Sequence, residues 1–104
     1  MLAKTGITKA GYLLLKRSSI NSNHWRSFFI VLNDHCLSYC SERHNFELPD
    51  GNLLLTSGTR VYYQQEDDGA SVIRIETGVE VLLFRGKDES EMKEWKRYVN
   101  LSQL

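Results

Sequence analysis

The chain has 104 residues, of which 41% are hydrophobic and 25% charged, and its 13 basic and 13 acidic side chains give a formal net charge of zero. These values are typical of a single folded domain and exclude a disordered chain, which would have few apolar residues and a high net charge. No apolar run approaches the roughly 20 residues that a transmembrane helix requires. We predict a lead-in at residues 1–9 and one domain at residues 10–104.

The body of the chain is predicted to form seven short strands. Each is a run rich in β-branched, leucine or aromatic side chains, and residues that favour turns separate the runs. The strands follow one another at a spacing of roughly ten residues, which is typical of an antiparallel barrel or sandwich. The first strand has successive apolar residues, so we expect burial on both of its faces. The predicted strands are residues 10–17, 25–32, 36–41, 51–55, 60–63, 71–76 and 79–85.

The last stretch, residues 86–101, is predicted to be a helix. Asp88 is a typical N-cap residue, and Glu91, three residues later, can reach back to a free N–H group and complete a capping box. A one-sided helix must bury its apolar stripe, so we predict that it packs on the open end or face of the β structure, with Trp95 as its largest anchor. The stripe has a 3.6-residue period and consists of Met92, Trp95, Val99 and Ser102.

Cys36 and Cys40 lie four residues apart on one predicted strand. That spacing corresponds to about 13 Å, whereas a disulfide requires Cα atoms within about 7 Å. We therefore expect two reduced thiols, as in an intracellular protein. The sequence offers too few further ligands near them for a metal site, and we predict neither a metal nor a cofactor.

The zero net charge conceals a separation of charge along the chain. Residues 1–33 contain five basic and no acidic side chains, and the rest contains eight basic and 13 acidic ones, so the two parts carry +5 and −5. A basic face of this kind attracts anionic surfaces even when the net charge is zero.

Short motifs recur at characteristic places along these elements. They are Gly11-Tyr-Leu13, Trp25, Val31-Leu32, Leu37, Tyr39, Gly51 after Pro49, Ile73–Thr77, Leu82–Gly86, Glu91 and Trp95. In this combination residues 10–101 resemble a pleckstrin homology (PH) domain. The resemblance implies a mainly β fold of seven antiparallel strands in two near-orthogonal sheets, with the helix closing one end. The other end stays open and is rimmed by the loops after the first, third and sixth strands.

The resemblance also implies a function, because the common activity of this family is phosphoinositide binding at the open rim. The family's basic motif has a lysine near the end of the first strand and a basic-x-Arg pair on the second. Here Leu15 occupies the lysine position and Phe28 the arginine position, while Arg26 keeps the first basic position. Half of the phosphate-binding set is missing, so we predict weak binding with low headgroup specificity.

A looser set of candidate ligands remains around the first loop. The predicted headgroup-binding residues are Lys16, Arg17, His24, Arg26 and Tyr39. Serine and asparagine side chains of the loop can donate to phosphate oxygens, and Ile20 is the candidate membrane-inserting residue, with packing against its own loop as the alternative. Some members of the family bind lipid on the outer side of the first hairpin, and Lys16, which alternates with Arg17, is predicted to face that side.

We therefore predict a non-catalytic signalling adaptor of the cytoplasm that is recruited to anionic, phosphoinositide-bearing membrane as a peripheral protein. The alternative is a protein-interaction or autoinhibitory module without useful lipid affinity. An enzyme is excluded by inventory, because no G-x-S-x-G, H-E-x-x-H or C-x-x-C motif is found. Nucleic acid is not expected as a partner, because the sequence pI of about 6.8 is far below the value above 9 typical of such proteins.

Overall fold

The computed structural model describes residues 7–17, 24–41 and 49–103. Within them the chain forms seven strands and a C-terminal helix, which confirms the predicted fold class. The elements are β1 (Ile7–Arg17), β2 (Arg26–Asn33), β3 (Cys36–Cys40), β4 (Gly51–Leu54), β5 (Arg60–Gln65), β6 (Ser71–Glu76), β7 (Val81–Arg85) and α1 (Glu89–Leu101). This helix is neither long enough nor apolar enough to cross a bilayer, and the described residues form no other.

The strands join one antiparallel sheet in the order β4-β3-β2-β1-β7-β6-β5. Strand β1 is long enough to have two partners, since it pairs with β2 from Ile7 to Leu15 and with β7 from Leu14 to Arg17. Hydrogen bonding is therefore continuous through β1, so the strands that the family resemblance assigns to two near-orthogonal sheets are joined in one ladder. The end of β1, with Lys16 and Arg17, extends past the start of β2 and is held by β7.

Helix α1 begins as predicted. The Asp88 carboxylate accepts a hydrogen bond of 2.9 Å from the N–H of Glu91. The Glu91 carboxylate in turn accepts one of 2.6 Å from the N–H of Lys87, one residue before the N-cap. Both carboxylates also complement the positive end of the helix dipole.

The apolar stripe of α1 is buried against β5, β6 and β1. Trp95 is only 2% exposed and belongs to the main hydrophobic core. At about 25 cal/mol per Å², the roughly 150–250 Å² of an aromatic side chain corresponds to at most about 4–6 kcal/mol. The predicted anchor of the fold is thus confirmed.

The end of α1 is tied to two turns of the sheet. The Nδ1 atom of His35 lies 2.7 Å from the carbonyl oxygen of Ser102, and the Gln103 amide donates to the carbonyl oxygen of Thr59 at 2.5 Å. His35 lies between β2 and β3, and Thr59 precedes β5. The helix is thereby held to the sheet at its C-terminus as well as through its apolar stripe.

The prediction that β1 is buried on both faces is wrong. Leu13 and Leu15 are buried, but Tyr12 is 56% exposed and Leu14 only partly buried. Side chains alternate across a strand, and the core covers the face that carries Leu13 and Leu15. The opposite face of β1 is left partly open to solvent, where Tyr12 packs edge-to-face on Phe29 at a centroid distance of 5.1 Å.

Candidate functional site

The ends of β1, β2 and β3 surround an open pocket of about 320 Å³. Its polar lining includes all five residues predicted to contact a headgroup, and we call this the basic pocket. Ile20 and the polar loop residues 18–23 lie outside the described residues, so the membrane-inserting role of Ile20 stays a prediction. The lining consists of Leu15, Lys16, Arg17, His24, Arg26, Phe28, Tyr39, Ser41 and Asp50.

Strand register explains why these residues meet. Leu15 of β1 lies opposite Arg26 of β2, and Ile30 of β2 lies opposite Tyr39 of β3. Alternation then places Leu15 and Arg17 on one face of β1, with Arg26 and Phe28 on the matching face of β2. Leu15 and Phe28, the two residues in the basic positions of the family motif, are 2% and 9% exposed and form an apolar floor.

Each of the three cations of the basic pocket rests against an aromatic ring. The guanidinium carbon of Arg17 is 5.4 Å from the centroid of the Tyr39 ring, and that of Arg26 is 5.5 Å from the Phe28 ring. The Lys16 ammonium is 5.3 Å from the ring of Trp25, which precedes β2. Cation–π contacts of this kind restrict the long side chains, so less conformational entropy is lost when an anion binds.

One donor of Arg17 is left unsatisfied by the described residues. Its Nε atom is buried and has no hydrogen-bond partner among the described residues, whereas its terminal nitrogen lies 3.6 Å from a carboxylate oxygen of Glu80. A buried donor without a partner is costly, and a phosphate oxygen that accepted its proton would remove that cost.

Two carboxylates at the basic pocket were missed by sequence reasoning. Asp50 lines it and accepts a hydrogen bond from the N–H of Ser41, while its own N–H donates to the carbonyl oxygen of Tyr39 at 2.9 Å. Glu80 does not line the basic pocket, but its carboxylate lies 3.6 Å from the guanidinium of Arg17, which does. Because Asp50 precedes β4 and Glu80 precedes β7, only the fold brings them to the first hairpin. They place two negative charges close to the three positive charges of Lys16, Arg17 and Arg26.

Tyr39 is part of the core rather than an exposed rim residue, since it is only 4% exposed. Burial raises the pKa of its phenol, the nearby Arg17 lowers it, and Glu80 and Asp50 raise it further. The net direction is upward, so the hydroxyl stays neutral at physiological pH. Tyr39 therefore contributes a wall of the basic pocket and a platform for Arg17.

A second basic group lies on the outer side of the first hairpin. Lys16 and Arg85 approach the ring of Trp25, with the guanidinium carbon of Arg85 at 6.0 Å from its centroid. Arg85 also lies 3.5 Å from a carboxylate oxygen of Asp68. The Lys16 ammonium thus borders both the basic pocket and this outer surface.

The described residues contain no cluster of three or more His, Cys, Asp or Glu side chains that could hold a metal ion. Cys36 and Cys40 are free thiols. Burial, with a contribution from Asp50, raises the pKa of the Cys40 thiol, so it is a weak ligand and nucleophile at neutral pH.

The family model of the PH domain matches residues 7–103. The chain belongs to the PH domain family. PH domains are in general non-catalytic modules, and the open pocket at the ends of β1, β2 and β3 lies at the end of the PH fold that α1 does not close.

Solved PH domains share the fold at low sequence identity. The PH domain of ArhGAP27 is 15% identical, with a TM-score of 0.76 over 92% of this chain and 99% of that one. The C-terminal PH domain of pleckstrin in complex with D-myo-Ins(1,2,3,5,6)P5 is 21% identical, with a TM-score of 0.76 over 94% and 96%. The Slm1 PH domain in complex with inositol 4-phosphate is 17% identical, with a TM-score of 0.70 over 94% and 97%. No curated protein matches the chain in sequence.

Proposed function

We propose that this PH domain recruits its parent protein to anionic, phosphoinositide-bearing membrane, weakly and with low headgroup specificity, through Lys16, Arg17, His24 and Arg26. The observation that carries the proposal is the convergence of these four side chains on one open pocket, where a buried donor of Arg17 has no partner among the described residues. Two PH domains of the same fold are in complex with inositol phosphates, which supports the same ligand chemistry here.

Weak membrane binding is expected because the basic pocket has only three cations among the described residues. Each Lys or Arg near an anionic leaflet contributes about 1 kcal/mol, so the three cations supply about 3 kcal/mol before the two carboxylates are considered. A dissociation constant of about 1 mM corresponds to about 4 kcal/mol. Recruitment by this domain therefore needs a second contribution, such as an inserted apolar side chain, a second copy of the domain or a protein partner.

The test is sedimentation with vesicles of neutral lipid, phosphatidylserine and each phosphoinositide, at about 50 and about 200 mM salt. We expect binding to every anionic vesicle at the lower salt and loss of most of it at the higher, because exposed charges are screened. Persistent binding to one phosphoinositide at the higher salt would instead indicate a shaped headgroup site and contradict low specificity.

A pair of variants locates the site. Lys16→Glu/Arg17→Glu should abolish vesicle binding while the melting temperature changes little, because both side chains lie at a strand end and are partly exposed. Arg60→Glu/Lys87→Glu is the matched control, since it makes the same charge change at two exposed residues outside the basic pocket. Equal loss in both double variants would show that net charge, and not the basic pocket, governs binding.

The second candidate function is a protein-interaction or autoinhibitory module that uses the same fold. The observations that favour it are the apolar floor of Leu15 and Phe28 and the carboxylates of Asp50 and Glu80. Absence of binding to all vesicles at the lower salt would support this function and reject membrane recruitment.

A further inference from the structure

A second groove, between β5 and α1, shares no residue with the basic pocket. Its volume is about 560 Å³, and Tyr63 is its only lining residue from β5 among the described residues. The helical lining residues follow the spacing i, i+3, i+4, i+7, i+8, so they occupy one side of α1 that is distinct from the buried stripe. They are Lys93, Lys96, Arg97, Asn100 and Leu101.

This face of α1 is positively charged. Its described lining contains three cations and no carboxylate. Lys93 has a partner, since its ammonium is 2.6 Å from Glu89, but both side chains are more than half exposed. Exposed pairs one helical turn apart contribute little to stability, so an incoming carboxylate can displace Glu89 from Lys93.

The other nearby carboxylate of the helix is already engaged elsewhere. Glu94 lies 2.5 Å from the ammonium of Lys9 on β1. Arg97 rests on the ring of Tyr98, with its guanidinium carbon 4.9 Å from the centroid, which orders the side chain. The charge of Arg97 also lowers the pKa of Glu94, but less than that of Lys9 does. The positive charge of the groove is thus preserved although the first turn of α1 is acidic.

Apolar surface lies beside these cations. Leu101 is 70% exposed at the end of the groove, and the ring of Tyr63 forms its wall, 5.2 Å from the Lys93 ammonium. The Tyr63 hydroxyl lies 3.1 Å from that of Ser71, which fixes the ring. The groove therefore combines cations with a fixed apolar wall and an exposed leucine.

Strand β5 adds backbone groups to this surface. It stands at the end of the sheet and pairs with β6 over Arg60–Gln65, and no other strand of the described residues pairs with it. An edge strand of this length presents unpaired N–H and C=O groups on its other side. Such an edge can accept an extended peptide as an additional strand.

We propose that the groove between β5 and α1 binds an extended acidic segment of a partner protein, which adds to the edge of β5. Alternate side chains of an extended peptide are about 6.6 Å apart, close to the 5.4 Å of one helical turn, so acidic side chains at every second position can reach successive turns of α1. Lys93, Lys96 and Arg97 pair with these carboxylates, and Leu101 contacts an apolar side chain of the same segment.

The test uses an acetylated octapeptide of alternating glutamate and valine, with the lysine–valine counterpart as its control. Fluorescence anisotropy with the whole domain should show binding of the acidic peptide only. Amide shifts in NMR spectra should concentrate on β5 and α1. Lys96→Glu/Arg97→Glu should weaken binding by about tenfold or more, a loss of about 1.4 kcal/mol or more. The single variants Lys96→Glu and Lys87→Glu form a matched pair, in which only the first weakens binding.

Strand addition is tested separately with two N-methylated forms of the acidic peptide, methylated at every glutamate or at every valine. An added strand donates from alternate residues, so one form should lose binding. Binding of both forms at the affinity of the parent peptide would overturn strand addition. The proposal would also be wrong if the peptide failed to bind while phosphatidylserine vesicles bound in a manner sensitive to Lys96→Glu/Arg97→Glu, since this face would then contact membrane.

Discussion

Arg17 shows how one side chain can combine several requirements of an anion site. Its position on β1 turns it towards the basic pocket, the Tyr39 ring supports its guanidinium plane, and its Nε atom lacks a partner among the described residues. Glu80 holds the other end of the guanidinium at 3.6 Å, long for a charge-assisted hydrogen bond. A phosphate can therefore approach the guanidinium of Arg17 without first breaking a strong ion pair.

Gly51 controls the position of the Tyr39 ring. A Cβ atom at this position would overlap the Tyr39 hydroxyl and ring carbons. Because Tyr39 is buried, we expect Gly51→Ala to destabilise the domain by about 1–3 kcal/mol in urea denaturation, the usual cost of overpacking. Gly78→Ala is the control, since nothing lies within 4 Å of its added Cβ. The cost should largely disappear in a Tyr39→Ala background; equal stability of Gly51→Ala and Gly78→Ala would mean that the ring moves aside freely.

At the scale of single elements, the features that were predicted correctly are those that depend on residues close together in the sequence. The cap at Asp88 and the stripe around Trp95 depend on residues three or four apart, so the sequence contained all the information for α1. The exposure of Tyr12 could not be foreseen, because an apolar run does not reveal which face of a strand its neighbours cover. Asp50 and Glu80 were missed for a related reason, since their approach to the basic pocket and to Arg17 depends on how distant strands pair.

The contact between β1 and α1 is strengthened by Lys9. Its ammonium lies 2.5 Å from Glu94, 5.0 Å from the centroid of the Trp95 ring and 5.5 Å from that of Tyr98. The hydrogen bond and charge of Lys9 lower the pKa of the Glu94 carboxyl. A carboxyl whose pKa is lower in the folded state stabilises the fold above its ordinary value of 4.5 and loses that contribution as the pH falls through the folded pKa.

We therefore expect Glu94→Gln to lower the melting temperature slightly at pH 7, and the difference from the unsubstituted domain to vanish in acid. Thermal unfolding followed by circular dichroism from pH 7 to well below pH 4.5 measures this. In a Lys9→Met background the same substitution should have a smaller effect, because the main cause of the shift is gone. A difference that persisted unchanged in acid would show that the carboxylate charge is not responsible.

For the molecule as a whole, the charge separation along the chain is not a charge separation in space. The first 33 residues are basic, yet Lys9 is paired with Glu94, and the fold brings Asp50 and Glu80 to the cations of the basic pocket. Helix α1, from the acidic part of the chain, presents three cations to a groove of its own. The sequence therefore predicted a basic surface but could predict neither the carboxylates that reduce its charge nor the second positive face.

The carboxylates of Asp50 and Glu80 are expected to lower the affinity of the domain for anionic membrane. Asp50→Asn/Glu80→Gln keeps one accepting oxygen in each side chain but removes two negative charges from the surroundings of Lys16, Arg17 and Arg26. At about 1 kcal/mol for each charge near an anionic leaflet, binding to phosphatidylserine vesicles should tighten by up to about 30-fold at low salt. Vesicle sedimentation over a series of salt concentrations measures this, and the salt dependence should become steeper.

The matched control is Asp34→Asn/Glu89→Gln, which removes the same charge at two exposed residues outside the basic pocket, one in the turn between β2 and β3 and one in the first turn of α1. If local charge governs binding, the control gains much less than Asp50→Asn/Glu80→Gln, because exposed charges beyond about one Debye length, roughly 10 Å at 0.1 M salt, are largely screened. Equal gains in the two double variants would mean that the whole-molecule field attracts the membrane. The basic pocket would then not be the surface that contacts the membrane, and the Asp50 and Glu80 carboxylates would have no specific effect on recruitment.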